Sequence, residues 1–174
     1  MRTKNVVVVP WQPVWLARFE EIRASLLPAL DGLISGIEHV GSTAVPGLAA
    51  KPIIDIDIII PDASMFPQVR DALASLGYRH EGDLGIPGRE AFKFDSKPDL
   101  MAHHLYVCAR DSAELRRHLA LRNYLRANPR DRDRYAQVKQ TAAARHPTDI
   151  DAYLAEKTEI IREIYAKCGL GPEA

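Results

Sequence analysis

Apolar positions along the chain change period several times, and each change marks an element. Val6 to Val9 form a run of four β-branched residues, a short strand or extended arm that Pro10 and Pro13 end. Trp15, Phe19, Ile22, Leu26 and Leu30 then recur every third or fourth position. That is a helix, with Pro13 suited to its first turn and Asp31-Gly32 closing it. A short strand fits residues 34–40, a brief helix or turn 44–51 around Pro46-Gly47, and a strand 53–60, which stops at Pro61. A helix over 64–76 carries Phe66, Val69, Leu73 and Leu76 on one stripe, with Gly77 as its stop. Strands follow over 78–81, 89–95 and 103–109, separated by surface loops over 82–88 and 96–99.

From Asp111 the pattern becomes helical, over 112–127, 130–145 and 148–167. Thr148 and Asp151 have the spacing of a capping box. Ile150, Leu154, Ile161, Ile164 and Cys168 give the last helix its apolar stripe, and the tail 169–174 is expected to fray. No internal repeat or linker divides the chain. The expectation is one domain over 1–174, of class α/β (α+β), with an α/β half (1–110) and a helical half (111–174).

One strand breaks the apolar pattern. In Ile54-Asp55-Ile56-Asp57-Ile58 the isoleucines share one face and the two acids the other. Adjacent carboxylates repel and are costly to desolvate, so a cation or basic group is expected beside them. Just upstream, Gly41-Ser42 precedes a predicted helix, where backbone N–H groups and a hydroxyl suit phosphate oxygens. Magnesium takes few protein oxygens and completes its shell with water and phosphate. Gly41, Ser42, Asp55 and Asp57 therefore form a coherent triphosphate-and-metal set, with Lys51 a cation close in sequence.

Composition narrows the setting. The 174 residues suffice for one domain with a core, and 47% hydrophobic content argues a folded chain. Zero formal net charge gives no global field to recruit nucleic acid or anionic lipid, although a local basic patch stays open. The N-terminal stretch lacks a signal-peptide pattern, and no apolar run approaches the ~20 residues of a membrane span. A cytoplasmic, non-membrane protein is the expectation. Cys108 and Cys168 stand in no metal or disulfide pattern and read as packed free thiols. The arginines from Arg116 to Arg134 interleave with Glu114, Asp131 and Asp133, which favours a solvated helix face over RNA binding. Arg122 and Lys157 are singled out because helices packed beside the sheet could send them toward a triphosphate. Trp11, Trp15, Tyr124 and Tyr135 read as packing residues.

The string His39-Val40-Gly41-Ser42-Thr43-Ala44-Val45-Pro46-Gly47-Leu48-Ala49-Ala50-Lys51-Pro52-Ile53-Ile54-Asp55-Ile56 resembles the signature of the GrpB family. Gly85 to Arg89, His104-Leu105, Leu121 to Leu125 and Tyr153-x3-Lys157 extend the resemblance over nearly the whole chain. Some relatives in that family are fused to dephospho-CoA kinase. The family in turn is similar to the DNA polymerase β-like nucleotidyltransferases. That resemblance implies a nucleotidyltransferase-like mixed β-sheet flanked by helices, with Gly41 and Ser42 at the phosphate and Asp55 and Asp57 on the acid strand. It also implies binding of a nucleoside triphosphate with Mg2+ or Mn2+, and transfer of a nucleotidyl group to an acceptor the sequence does not name.

Active members of that superfamily often add a third carboxylate on a later strand. Here that strand is 103–109 and holds no acid. His104, with Tyr106 and Cys108, shares its face, so His104 is the candidate for the third position as ligand, base or phosphate contact. His103 falls on the opposite face and reads as structural, and Asp95 and Asp99 rank below His104. Asp55, Asp57 and His104 are the expected catalytic residues, the two acids also being the metal ligands. Gly41, Ser42, Lys51, Arg89 and Lys157 are the expected nucleotide or phosphate contacts. The missing acid leaves two alternatives: a non-catalytic nucleotide- or CoA-related binding or accessory domain, and a phosphohydrolase using the same acids. Oligomeric state is not readable from the sequence.

Overall fold

The computed structural model describes residues 5–171. Helix α1 (Val14–Leu30) leads into strand β1 (Gly36–Val40), a 3-10 turn (Ser42–Ala44) and strand β2 (Ile54–Ile60). Helix α2 (Phe66–Ser75), strands β3 (Arg79–Gly82), β4 (Arg89–Lys93) and β5 (His103–Ala109), and helices α3 (Ala113–Ala127), α4 (Pro129–Arg145) and α5 (Ile150–Lys167) complete the order. The five strands form one mixed sheet in the order β1-β2-β5-β4-β3, with β2 and β5 parallel and the other neighbours antiparallel.

The sheet has two unlike faces. Ile54, Ile56, Ile58 and Ile60 of β2 and Leu105 and Val107 of β5 pack on Trp15, Phe19, Ile22, Leu26 and Leu30 of α1 and on Val69 and Leu73 of α2. Fully burying one such side chain is worth about 1.5–3 kcal/mol, so this face holds the sheet together. The other face carries Asp55, Asp57, His104 and Tyr106, aligned by the pairings Asp55↔His104 and Asp57↔Tyr106. Helix α3 crosses that face, tied down where His118 meets Asp57 and Arg122 meets Glu38. Beyond α3, a second apolar cluster joins Val45 and Leu48 to Leu125, Tyr135, Ile160 and Ile164.

Several local expectations are corrected. The segment after Gly41 is a single 3-10 turn, because Pro46 and Gly47 (φ +85°) stop it, so it has no long helix dipole. Asp149, not Thr148, caps α5 by accepting the Ala152 N–H. The buried face of α5 is Tyr153, Ile160 and Ile164, while Leu154 stays 47% exposed. Arg126 and Arg132 leave the solvated face to bond the carbonyls of Ala44 and Pro46. Val9 does pair with Ala50, as an extended arm should. Gly169 and Leu170 are hydrogen-bonded onto the end of α5, Gly171 follows outside any helix or strand, and residues 172–174 of the expected frayed tail lie outside the described residues. Cys108 and Cys168 are free thiols. Among the described residues no helix is long and apolar enough to cross a membrane.

Candidate functional site

Antiparallel pairing of Val40 with Asp55 brings the end of β1 against the start of β2, and the chain must turn sharply between them. Gly41 makes that turn at φ +71°, and a Cβ there would overlap Oδ2 of Asp55. Glycine is required twice over, for the left-handed backbone and for the close approach. Behind the turn, His39 Nε2 meets Thr43 Oγ1 at 2.9 Å and its ring stacks on Phe19. Burial holds His39 neutral, with its pKa lowered to about 4.

The two acids differ. Asp57 is fully buried, its Oδ2 at 2.7 Å from Nδ1 of His118, while its Oδ1 has no hydrogen-bond partner. Burial opposes the charged form of His118, but the hydrogen bond and charge of Asp57, with Glu114 and Asp55 nearby, outweigh it and raise its pKa. Asp55 is one-third exposed, and its Oδ1 lies 2.8 Å from Nδ1 of His104. Burial pushes its carboxyl up, yet His104, then His118 and Lys51, bring it below the ordinary carboxylate value. An ionised carboxylate only accepts, so His104 presents Nδ1–H to Asp55 and leaves Nε2 free. His103, on the far face, is spent between the Met101 carbonyl and the Tyr78 hydroxyl. Asp95 is exposed and paired with Arg79.

Two cavities flank Asp55. One, of about 190 Å³, is lined by Ser42, Asp55, His104, Lys51, Lys139 and Lys157. The other, of about 180 Å³, shares Ser42, Asp55 and Lys157 and runs under α3 to His118, Arg122 and Tyr135. Larger hollows of about 540 and 620 Å³ lie on the helical half, but neither is lined by an acid of the pair. Lys139 is 2% exposed, and its Nζ has no hydrogen-bond partner. Burial, then the charge of Lys157, lowers its pKa well below the usual lysine value. Lys157 is brought down to about 8, chiefly by burial and then by Lys51. Three amines thus lie around one carboxylate, and a polyanion bound among them would restore the charged forms that burial and mutual repulsion disfavour.

Of the expected residues, the fold brings together Gly41, Ser42, Lys51, Asp55, Asp57, His104 and Lys157. Arg89 lines neither cavity; its guanidinium lies 4.4 Å over the Tyr106 ring. Arg122 is held by Glu38 and the His39 carbonyl. Lys139 and His118 join the site without having been expected there. Their one sequence signal is a basic group on an otherwise apolar helix face, Lys139 four residues after Tyr135 and His118 three after Leu115.

The chain matches the GrpB protein family over residues 5–167. It belongs to the GrpB family. A UPF0157 protein of Pseudomonas aeruginosa is 40% identical over 94% of this chain and 67% of its own length. The UPF0157 protein YqkA of Bacillus subtilis is 33% identical over 91% of this chain, which spans 46% of YqkA. A dephospho-CoA kinase of Mycolicibacterium paratuberculosis matches at 28% identity, again over 46% of its length. The crystal structure of GrpB from Enterococcus faecalis superposes with a TM-score of 0.79 at 36% identity, covering 92% of this chain and 98% of that one. Two more distant neighbours share the nucleotidyltransferase fold. The GLD-2/RNP-8 complex gives a TM-score of 0.60 at 15% identity, covering 94% of this chain and 63% of that one. Cid1 with its product ApU gives 0.54 at 13%, covering 76% and 42%.

Proposed function

We propose that this GrpB protein transfers a nucleotidyl group from a nucleoside triphosphate to a hydroxyl acceptor at Asp55 and Asp57. The observation that carries the reading is the lysine-lined cavity opening on Asp55, with the buried amine of Lys139, 4.7 Å over the Tyr135 ring and without a hydrogen bond, in its wall. A triphosphate with its tail between Lys51, Lys139 and Lys157 and its α-phosphate at the Gly41-Ser42 turn would meet all three amines. The fold shared with Cid1, which has been solved bound to MgATP, supports the same class of ligand.

The residues suit a magnesium or manganese ion to a defined extent. Asp57 offers a buried oxygen without a partner, and Asp55 keeps Oδ2 beyond its bond to His104. Among the described residues no three His, Cys, Asp or Glu side chains are grouped to hold a metal, so Asp55 and Asp57 would hold it with water and phosphate completing the shell. When bound, the ion supplies charge neutralisation at the phosphates. The lysines draw the β- and γ-phosphates and stabilise pyrophosphate as it leaves. The acceptor oxygen bonds to the α-phosphorus as the bond from that phosphorus to the bridging oxygen breaks. His104, oriented by Asp55, takes the acceptor's proton at Nε2.

One observation favours a second reading, a nucleotide-binding module without turnover: each acid already carries a histidine partner. Calorimetry with each nucleoside triphosphate, with Mg2+ and with Mn2+, tests what the two readings share. Metal-dependent binding lost in Asp55→Asn/Asp57→Asn is expected; no binding, or binding unchanged in the folded variant, contradicts both. Pyrophosphate release then separates transferase from module.

A further inference from the structure

Arg89 stands apart from the lysine cavity, and its surroundings are specific. It opens β4, directly after Gly88, whose carbonyl accepts a 3.0 Å hydrogen bond from the Ser112 hydroxyl. Its guanidinium stacks on Tyr106, and its Nε is buried with no hydrogen-bond partner. The other arginines that reach this face are occupied. Arg122 bonds Glu38 and the His39 carbonyl, Arg126 bonds the Ala44 carbonyl, and Arg117 lies 3.6 Å from Glu114. Tyr106, the platform under Arg89, pairs in register with Asp57, and its ring centroid is 6.3 Å from those of both His104 and His118. The Arg89–Tyr106 stack is therefore part of the acid face.

Its direction matters. The lysine cavity is lined by Ala50, Lys51 and Ile53, so it lies before Asp55 along β2. Arg89 pairs with Cys108, which pairs with Ile59, so Arg89 enters from beyond Asp57. In phosphoryl-type transfer the attacking and leaving oxygens lie roughly in line across the phosphorus. A triphosphate tail held by the lysines places the incoming acceptor on the side of Tyr106 and Arg89.

We infer that Arg89, stacked on Tyr106, anchors the acceptor, and that the acceptor is a hydroxyl compound bearing an anionic group, a phosphate or a carboxylate. The inference rests on the nucleotidyl-transfer reading for the direction of approach. A guanidinium held flat on an aromatic ring presents a fixed fork of N–H donors that matches either oxyanion, which a lysine cannot reproduce.

The test follows the Nε–Hε resonance of Arg89 in the full chain by NMR, assigned by its loss in Arg89→Gln. Methyl phosphate and acetate are the two probes, the Ser42 amide reports the lysine cavity, and calorimetry with Mg2+ triphosphates runs alongside. The expected result is a saturating shift at Arg89 with at least one probe; followed at the Tyr106 backbone amide, which both chains retain, the affinity is about tenfold weaker in Arg89→Lys, which keeps the charge but loses the fork. The probe that saturates at lower concentration identifies the acceptor's group. A shift at Ser42 with none at Arg89, or equal probe affinity in folded Arg89→Lys, overturns the anchor and leaves triphosphate binding intact. A shift at Arg89 in a chain that binds no triphosphate overturns its assignment to an acceptor, together with the transfer reading itself.

Discussion

The sheet half and the helical half of the site answer the problem of buried charge in opposite ways. On the sheet, each acid is matched by a histidine: Asp55 by His104 and Asp57 by His118. In the helical half, the Lys139 amine of α4 and the Lys157 amine of α5 lie over the rings of Tyr135 and Tyr153, Lys139 without a hydrogen bond and Lys157 beside Lys51, whose charge repels it. Charges satisfied within the protein hold structure together; charges left unsatisfied are stabilised only by what binds. The acids are thus shared between stability and function, whereas Lys139 and Lys157 cost stability and serve the ligand.

The largest expected effect breaks that contrast on the sheet side. Asp57→Ala removes the fully buried carboxylate that partners the part-buried His118 and should cost about 3–5 kcal/mol in urea denaturation. Asp55→Ala, whose pair with His104 is one-third exposed, should cost at most about 1 kcal/mol. Equal losses would mean that the two pairs do the same work.

The helical side should respond in the reverse sense. Lys139→Met removes a buried amine that has no hydrogen bond while keeping its volume, so it should raise stability by about 1–3 kcal/mol. The same change should weaken triphosphate binding about tenfold or more, read by calorimetry. A variant that loses both stability and affinity would make Lys139 a packing residue.

A smaller effect sharpens the comparison by pH. The Lys157 amine, at about 8, is cationic below that value and neutral above it. A polyanion binds the cationic form, so triphosphate affinity should be highest below pH 8 and fall on going to pH 9, with proton uptake on binding in that window. Calorimetry in buffers of different ionisation heat measures the uptake, and Lys157→Met should flatten the profile.

These two sides are not equally legible in the sequence. The alternation of isoleucine and aspartate in β2 is a local, period-two signal, and it marks the acid face by itself. Gly41 is legible as a Gly-Ser turn before a helix start, and His104 as a residue on one face of its strand, which the parallel pairing of β2 with β5 sets beside Asp55. Lys139 and His118 escape such reading because a polar residue on a helix looks solvent-facing until the neighbouring helices are placed. The α5 stripe misleads for that reason: Tyr153 and Ile160 turn inward onto partners that no period reveals, and Leu154 is left outside. Of the brief helix or turn expected after Gly41, the turn is what forms, and Pro46-Gly47 keeps it from extending.

The most direct measurement is a crystal structure of this chain with Mg2+ and a non-hydrolysable triphosphate analogue. The account predicts the terminal phosphates among Lys51, Lys139 and Lys157 and the α-phosphate at Ser42 and Asp55. Phosphates bound elsewhere on the molecule, with the Lys139 amine still without a hydrogen bond, would contradict it.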